Sequence, residues 1–307
     1  MKTPLRYPGG KSRAVETLMS FVPEDCSEIC SPFLGGGSFE LALAEKGIQV
    51  HAYDAFKPIV WFWHALLKDP EYLALLIEKT RRRKHYEIPR AKPDVNGNMP
   101  MKWAKGLPEK TFHRFREEIR HALRNDYPCS ASEVHFELAA KVYAVNRSSF
   151  SGATLTGGFS EEASFARFTD DLIDDIRNFK IDNLTVSCKD FKNSINKHDC
   201  LLYLDPPYFL DGARSKLYGD EGDMHTFFPH LALFSMLRER DNWILSYNDC
   251  DEIRSLYRDF DIHEAEWTYG MNKSKKSSEI IITNLPKRLH CAIIDLKGEQ
   301  DGEKSQS

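Results

Sequence analysis

Short apolar runs that stop at turn-forming residues alternate along this chain with longer stretches in which apolar positions recur every three or four residues. That alternation predicts strands threaded between helices, an α/β architecture. The short runs lie at the patch around Ile29 and at residues 50–53, 184–188, 201–204 and 243–247. Helical spacing covers residues 14–21, then Trp61, Trp63, Leu66 and Leu67, then 73–77. It returns as Phe112, Phe115, Ile119 and Leu123, as Val134, Leu138, Val142 and Val145, and over residues 172–179, 231–240 and 249–257. The burial habits of large aromatics place Trp61 and Trp63 in a core. Residues 262–269 and 279–283 read as a closing strand pair around a basic loop. Residues 81–108 mix charge, Pro, Gly and Asn without a period and predict an irregular insertion. Residues 151–160 form a glycine-rich polar loop or hairpin, 209–228 a polar loop able to cover a ligand, and 299–307 a disordered tail.

Two strand ends carry unusual turn chemistry. The run at 201–204 stops at Asp205-Pro206-Pro207-Tyr208. Proline fixes φ and forces the preceding residue out of the helical region, so Asp205 and Pro206 are held extended at the strand's carboxyl end, where open α/β sheets place ligands. A two-proline turn is also an ordinary strand exit, so it needs company. That company is Pro32-Phe33-Leu34-Gly35-Gly36-Gly37-Ser38, between the Ile29 patch and a helix-forming segment. Glycines there let backbone approach a ligand closely, although three in a row also make a flexible loop. Asp54 ends the next apolar run 17 residues after Gly37. An acid near that spacing hydrogen-bonds ribose hydroxyls in nucleotide-binding folds. Without the full dinucleotide spacing or a phosphate-loop Lys-Ser/Thr, the pattern points to an adenosine ligand lacking a pyrophosphate.

Tyr7-Pro8-Gly9-Gly10-Lys11, the glycine turn, Asp54 and Asp205-Pro206-Pro207-Tyr208, in that order with a long insert before the last, resemble the Dam-type (D12 class, α group) DNA adenine N6-methyltransferases. The resemblance spans roughly residues 4–285. It implies a Rossmann-like sheet with helices on both faces, formed by residues 1–58 and 160–290. It also implies a smaller, mainly helical target-recognition domain at 59–159, with 291–307 as a C-terminal extension. The implied methyl donor is S-adenosylmethionine, bound by Tyr7, Lys11, Phe33, Gly35, Gly37, Asp54, Asp190 and Asp205, with Asp190 facing the adenine amino group. The implied catalytic set is Asp205, Pro206, Pro207 and Tyr208, and the implied partner is double-stranded DNA. Arg116, Asn146, Arg147, Lys273 and Lys275 are the DNA-contact candidates, with Arg147 preferred. Two positions depart from the family pattern: Tyr7 stands where Trp is frequent, and Ser31 where an acid commonly precedes the Pro-Phe of the turn.

The chemistry behind that assignment is specific. The lone pair of an aromatic amine is delocalised into the ring, so hydrogen-bond acceptors for both amine protons are needed to redirect it toward the methyl donor. The Asp205 carboxylate and Pro206 carbonyl are such acceptors. Tyr208 would stack on a base flipped from the duplex. Methylation of cytosine N4 poses the same problem and is the enzymatic alternative; a catalytically silent DNA-binding protein of the same fold is the other. RNA adenine methylation is less favoured, since those enzymes usually carry Asn at the position of Asp205. Pro128-Cys129, a dipeptide also found at cytosine-C5 nucleophiles, is read as coincidence because it falls between helices.

Composition changes the picture in one respect. Net charge is −4 and pI about 6.3, so DNA is not held by bulk charge. Instead, Arg81–Lys84, Lys102, Lys105, Arg114, Arg116, Arg120, Arg124 and the 273–276 cluster concentrate basic residues locally. Seven scattered cysteines without zinc spacing imply reduced thiols and no metal. No apolar run approaches the roughly 20 residues of a membrane span, and there is no apolar leader, so a cytoplasmic protein of a bacterial, archaeal or phage-infected cell is expected. A cognate restriction endonuclease is a candidate partner, and a monomer or weak dimer the expected state.

Overall fold

The computed structural model describes residues 2–87, 101–209, 228–268 and 276–286. From the amino terminus, α1 (Val15–Met19) leads to β1 (Glu28–Ser31), α2 (Ser38–Glu45) and β2 (Gln49–Asp54). A largely helical excursion follows: α3 (Lys57–Lys68), α4 (Pro70–Thr80), the hairpin β3 (Arg82–Glu87) and β4 (Met101–Gly106), α5 (Glu109–Arg124), α6 (Phe136–Ser148) and α7 (Asp170–Arg177). The chain then returns with β5 (Leu184–Cys188), α8 (Phe191–Ser194), β6 (Leu201–Leu204), α9 (His230–Leu237), β7 (Trp243–Asn248) and α10 (Asp251–Leu256). It closes with β8 (Asp261–Thr268) and β9 (Lys276–Asn284).

Seven strands form one sheet in the order β5-β2-β1-β6-β7-β9-β8. All pairings are parallel except those of β9, which runs antiparallel to both neighbours. The winding reverses between β1 and β6: from β1 the chain moves outward through β2 to β5, and from β6 the other way to β7. A reversal of this kind leaves a crevice at the carboxyl ends of the two central strands. All four residues of β6 are buried, which is why that strand reads as an unbroken apolar run rather than an alternation.

One continuous apolar cluster joins the sheet to α3, α4, α5 and α6. Trp61, Phe62 and Trp63 of α3 are each no more than 1% exposed, in agreement with a core role. Burying side chains of that size stabilises by about 1.5–3 kcal/mol each. On α5, Phe112, Phe115 and Ile119 face inward as their spacing predicts, while the fourth expected position, Leu123, is only partly buried and Ala122 beside it is buried.

The irregular insertion expected over residues 81–108 differs from the structure, which pairs β3 with β4 from Arg82↔Gly106 to Glu87↔Met101. Arg82, Arg83 and Lys84 are all exposed, so the ladder there is held by backbone hydrogen bonds and lacks the period-2 apolar signal that reveals half-buried strands. Its base is anchored instead. Ser164 Oγ accepts from Leu107 N at 2.7 Å and donates to Leu107 O at 2.8 Å, and buried Arg81 pairs with Asp170. Among the described residues no helix is long and apolar enough to cross a membrane. The 273–276 cluster through Lys275, the C-terminal extension and residues 210–227, where a polar loop able to cover a ligand is expected, lie outside the described residues.

Candidate active site

β1 ends at Ser31, and the chain turns through Pro32 to Gly37 into α2. Gly35 and Gly37 take φ of +49° and +69°, in the left-handed region. Side chains are also excluded by contact: a Cβ on Gly35 would lie 2.7 Å from the Tyr7 ring, and one on Gly37 2.7 Å from the Trp63 ring. Tyr7 therefore roofs the turn and Trp63 floors it, with Trp63 Nε1 donating to Gly35 O at 3.2 Å. From the end of β2, Asp54 Oδ2 accepts from Gly35 N and Oδ1 from Phe56 N, both at 2.8 Å. Burial pushes the Asp54 carboxyl up to about 6, and the two N–H donors oppose that rise.

Asp205 follows β6 directly. Its Oδ1 holds Lys11 Nζ at 2.7 Å, and Lys11 also donates to the Tyr208 hydroxyl at 2.8 Å and to Gly9 O at 3.3 Å. The Tyr208 hydroxyl in turn donates to Glu279 Oε1. Desolvation pushes the Asp205 carboxyl up to about 6, with Lys11 lowering it and Glu279 raising it. Just beyond, Asn248 clamps the Phe209 backbone, accepting from its N–H and donating to its carbonyl, both at 2.9 Å.

These pieces enclose one cavity of about 340 Å³ at the crevice between β1 and β6. Tyr7, Lys11, Phe33, Gly35, Gly37 and Asp54 line one part, and Asp190, Asp205, Pro206, Pro207 and Tyr208 another. Asp190 also caps α8, its Oδ1 accepting from Asn193 N at 3.0 Å. Residues far apart in the chain thus share one cavity.

The chain matches the D12 class N6 adenine-specific DNA methyltransferase family over residues 7–271. It belongs to that family. The protein is accordingly an adenine-specific DNA methyltransferase, of a family that uses S-adenosylmethionine, and the cytosine N4 alternative is set aside.

Several residues of this methyltransferase site leave no sign in a linear reading. Glu40, in the first turn of α2, lines the cavity and is 3% exposed; Ser31 Oγ donates to its Oε1 at 2.6 Å. Burial pushes the Glu40 carboxyl up to about 7, and the Ser31 hydrogen bond opposes the rise. Phe191 and Phe228 cluster with Phe33 at centroid distances of 5.3–5.7 Å. Glu279 arrives from β9, near the other end of the sequence.

The DNA-contact candidates fare differently. Arg116 on α5 donates to Gly157 O at 3.2 Å, which places it beside the glycine-rich loop. Arg147 is half-buried, its Nη2 on Arg167 O at 3.3 Å. Asn146 is fully buried: Oδ1 accepts from Arg6 N, and Nδ2 donates to Arg6 O, Gly152 O and Thr154 Oγ1. In this conformation Asn146 orders the loop and offers no surface to a duplex. Phe150, two residues past Arg147's neighbour Ser148, is 69% exposed on that loop. Lys273 and Lys275 lie outside the described residues.

Proposed function

We propose that the cavity holds S-adenosylmethionine and a flipped adenine side by side, with methyl transfer to N6 of the adenine in double-stranded DNA. The observation that carries this reading is the shared cavity of the glycine turn and Asp205. The donor set fits a cationic nucleoside. Glu40, Asp54, Asp190 and Asp205 outnumber Lys11 and Lys192 along the lining, and a Cβ on the turn would fill the cradle. When bound, S-adenosylmethionine supplies an electrophilic methyl on a sulfonium.

Phe33, Phe191 and Phe228 form an apolar wall suited to a purine, with Asp190 at its edge. Asp54, oriented by Gly35 and Phe56, keeps acceptor capacity for ribose hydroxyls. Glu40, oriented by Ser31, supplies the carboxylate for the donor's amino group, so the acid absent at position 31 is restored from α2. Asp205 and the Pro206 carbonyl accept from the N6 protons, and Tyr208 stacks on the flipped base. The excursion at 59–159 serves target recognition, with Arg116 and Arg147 as phosphate contacts and exposed Phe150 against the opened base step, and Lys273 and Lys275 outside it supply further phosphate contacts.

The test is labelled-methyl uptake by duplex DNA followed by nucleoside mass spectrometry, with calorimetry for S-adenosylmethionine. N6-methyladenine from the native chain, and none from a folded Asp205→Ala variant that still binds donor, is the expected result. Full transfer by Asp205→Ala removes the mechanism.

A further inference from the structure

Lys11 creates a competition at the reacting corner. The role proposed for Asp205 requires its carboxylate to accept from the target amine, yet Oδ1 already holds the Lys11 ammonium at 2.7 Å. The Lys11 side chain is only 4% exposed, so its charge needs a carboxylate wherever it moves. A second one is within reach: Glu279 Oε2 lies 3.7 Å from Nζ on a side chain with no exposure. Travel of about 1 Å would bring that pair to an ordinary charge-assisted bond length.

Topology delivers Glu279 to this spot. It stands opposite Asn248 on β7, the residue that grips the backbone just beyond Tyr208. Its Oε1 accepts the Tyr208 hydroxyl. One enclosed carboxylate thus touches both side chains that flank Asp205. Its burial is not explained by packing, because a carboxylate in the interior of a sheet is costly unless cations and hydroxyls address it.

We propose that Glu279 is a positioning residue that takes over the Lys11 ammonium when the target amine claims Asp205, keeping Tyr208 anchored meanwhile. The inference rests on the reading of Asp205 given above. During transfer the N6 lone pair forms the new N–C bond, the S–C bond breaks with its electrons remaining on sulfur, and one N6 proton passes to Asp205 and on to water. Lys11 held against Asp205 weakens that carboxylate as an acceptor, and its retreat to Glu279 restores it.

Glu279→Gln keeps the shape and an acceptor for Tyr208 but removes the charge. Among the described residues, the titratable groups facing Asp205 include Lys11, Glu279, Glu40 and Tyr203. Locking Lys11 onto Asp205 and deleting a neighbouring negative charge both lower the Asp205 pKa. The variant is expected to lose roughly tenfold to a hundredfold in kcat, as for a misplaced catalytic group. The acidic limb of its kcat profile should move to lower pH, and kcat should fall by a larger factor than donor affinity does. In a Lys11→Met background, with no cation to relocate, Glu279→Gln should change kcat little further. Wild-type kcat with an unshifted limb, or the same fold-loss in both backgrounds, overturns the proposal. Glu279→Asp, which keeps the charge on a shorter arm, covers failure of the first variant to fold: it should recover part of kcat, and an Asp variant of native thermal stability without activity counts against the idea. An active Asp205→Ala enzyme removes the parent reading, whereas an inactive one beside a fully active Glu279→Gln removes only the relocation.

Discussion

Ser31 and Glu40 share a hydrogen bond of 2.6 Å at the foot of the glycine turn, where the last residue of β1 meets the first turn of α2. A serine, not an acid, stands at the strand end, and the adjacent helix contributes the carboxyl of Glu40 to the cavity lining. The position suits it: an acid in the first helical turn is favoured by the aligned peptide dipoles.

Glu40→Gln should therefore weaken S-adenosylmethionine binding by more than tenfold with little loss of thermal stability, because the amide keeps the Ser31 contact while losing the charge. Calorimetric titration checks this. An analogue of the donor lacking the α-amino group should bind native and variant protein equally; a variant that discriminates as well as the native chain would show that the amine is held elsewhere.

The same carboxyl sets a pH dependence. With its folded pKa raised from 4.5 to about 7, Glu40 contributes stability that is complete below about pH 4.5 and is lost as pH climbs through about 7. The size is on the order of 3 kcal/mol. Asp54, raised from 3.8 to about 6, acts in the same direction over a lower window. The unliganded protein should accordingly melt at lower temperature at pH 8 than at pH 5.5, and Glu40→Gln should flatten that slope. Donor affinity should run the opposite way, rising as Glu40 ionises, then falling as the ligand's own amine deprotonates near pH 8. Melting curves and titrations across pH 5–9 test both signs.

Gly35 and Gly47 separate backbone strain from site geometry. Both hold positive φ, +49° and +87°, but a Cβ on Gly35 meets the Tyr7 ring at 2.7 Å, whereas one on Gly47 meets nothing within 4 Å. Alanine at Gly47 should cost about 1 kcal/mol of stability and leave donor binding alone. Alanine at Gly35 should carry the same strain and also displace Tyr7 from its place over the turn, lowering donor affinity at least tenfold. Equal donor affinity in the two variants would dissociate the turn from the cofactor.

What was legible in the sequence follows from where the relevant contacts close. The glycine turn and Asp205-Pro206-Pro207-Tyr208 are each local: the residue types that force the backbone are also the ones that line the cavity, so linear order reveals them. Trp61 and Trp63 were legible because helical period and side-chain size both point inward. Glu40 is nine residues from Ser31, and Glu279 reaches Lys11 across 268 residues. Each looks like an ordinary surface acid until the sheet order is known. The β3–β4 hairpin was hidden for a different reason: its first strand carries charges on both faces, and only backbone pairing defines it.

Asn146, expected as a DNA contact, is placed by the structure in an internal clamp. Its four hydrogen bonds tie Arg6, the neighbour of Tyr7, to Gly152 and Thr154 in the glycine-rich loop. Asn146→Ala would remove the partners of the partly buried Arg6 backbone N–H and carbonyl and of the buried Gly152 carbonyl, at about 1 kcal/mol for each lost hydrogen bond. It should lower melting temperature and weaken duplex binding by loosening the loop. A clamp touches no phosphate, however, so the slope of log affinity against log salt should stay native. Arg116→Gln should instead reduce that slope by about 0.9, the share of one phosphate contact, with little change in melting temperature. Binding isotherms at several salt concentrations decide between the two roles: a reduced slope in Asn146→Ala would make it a direct contact after all.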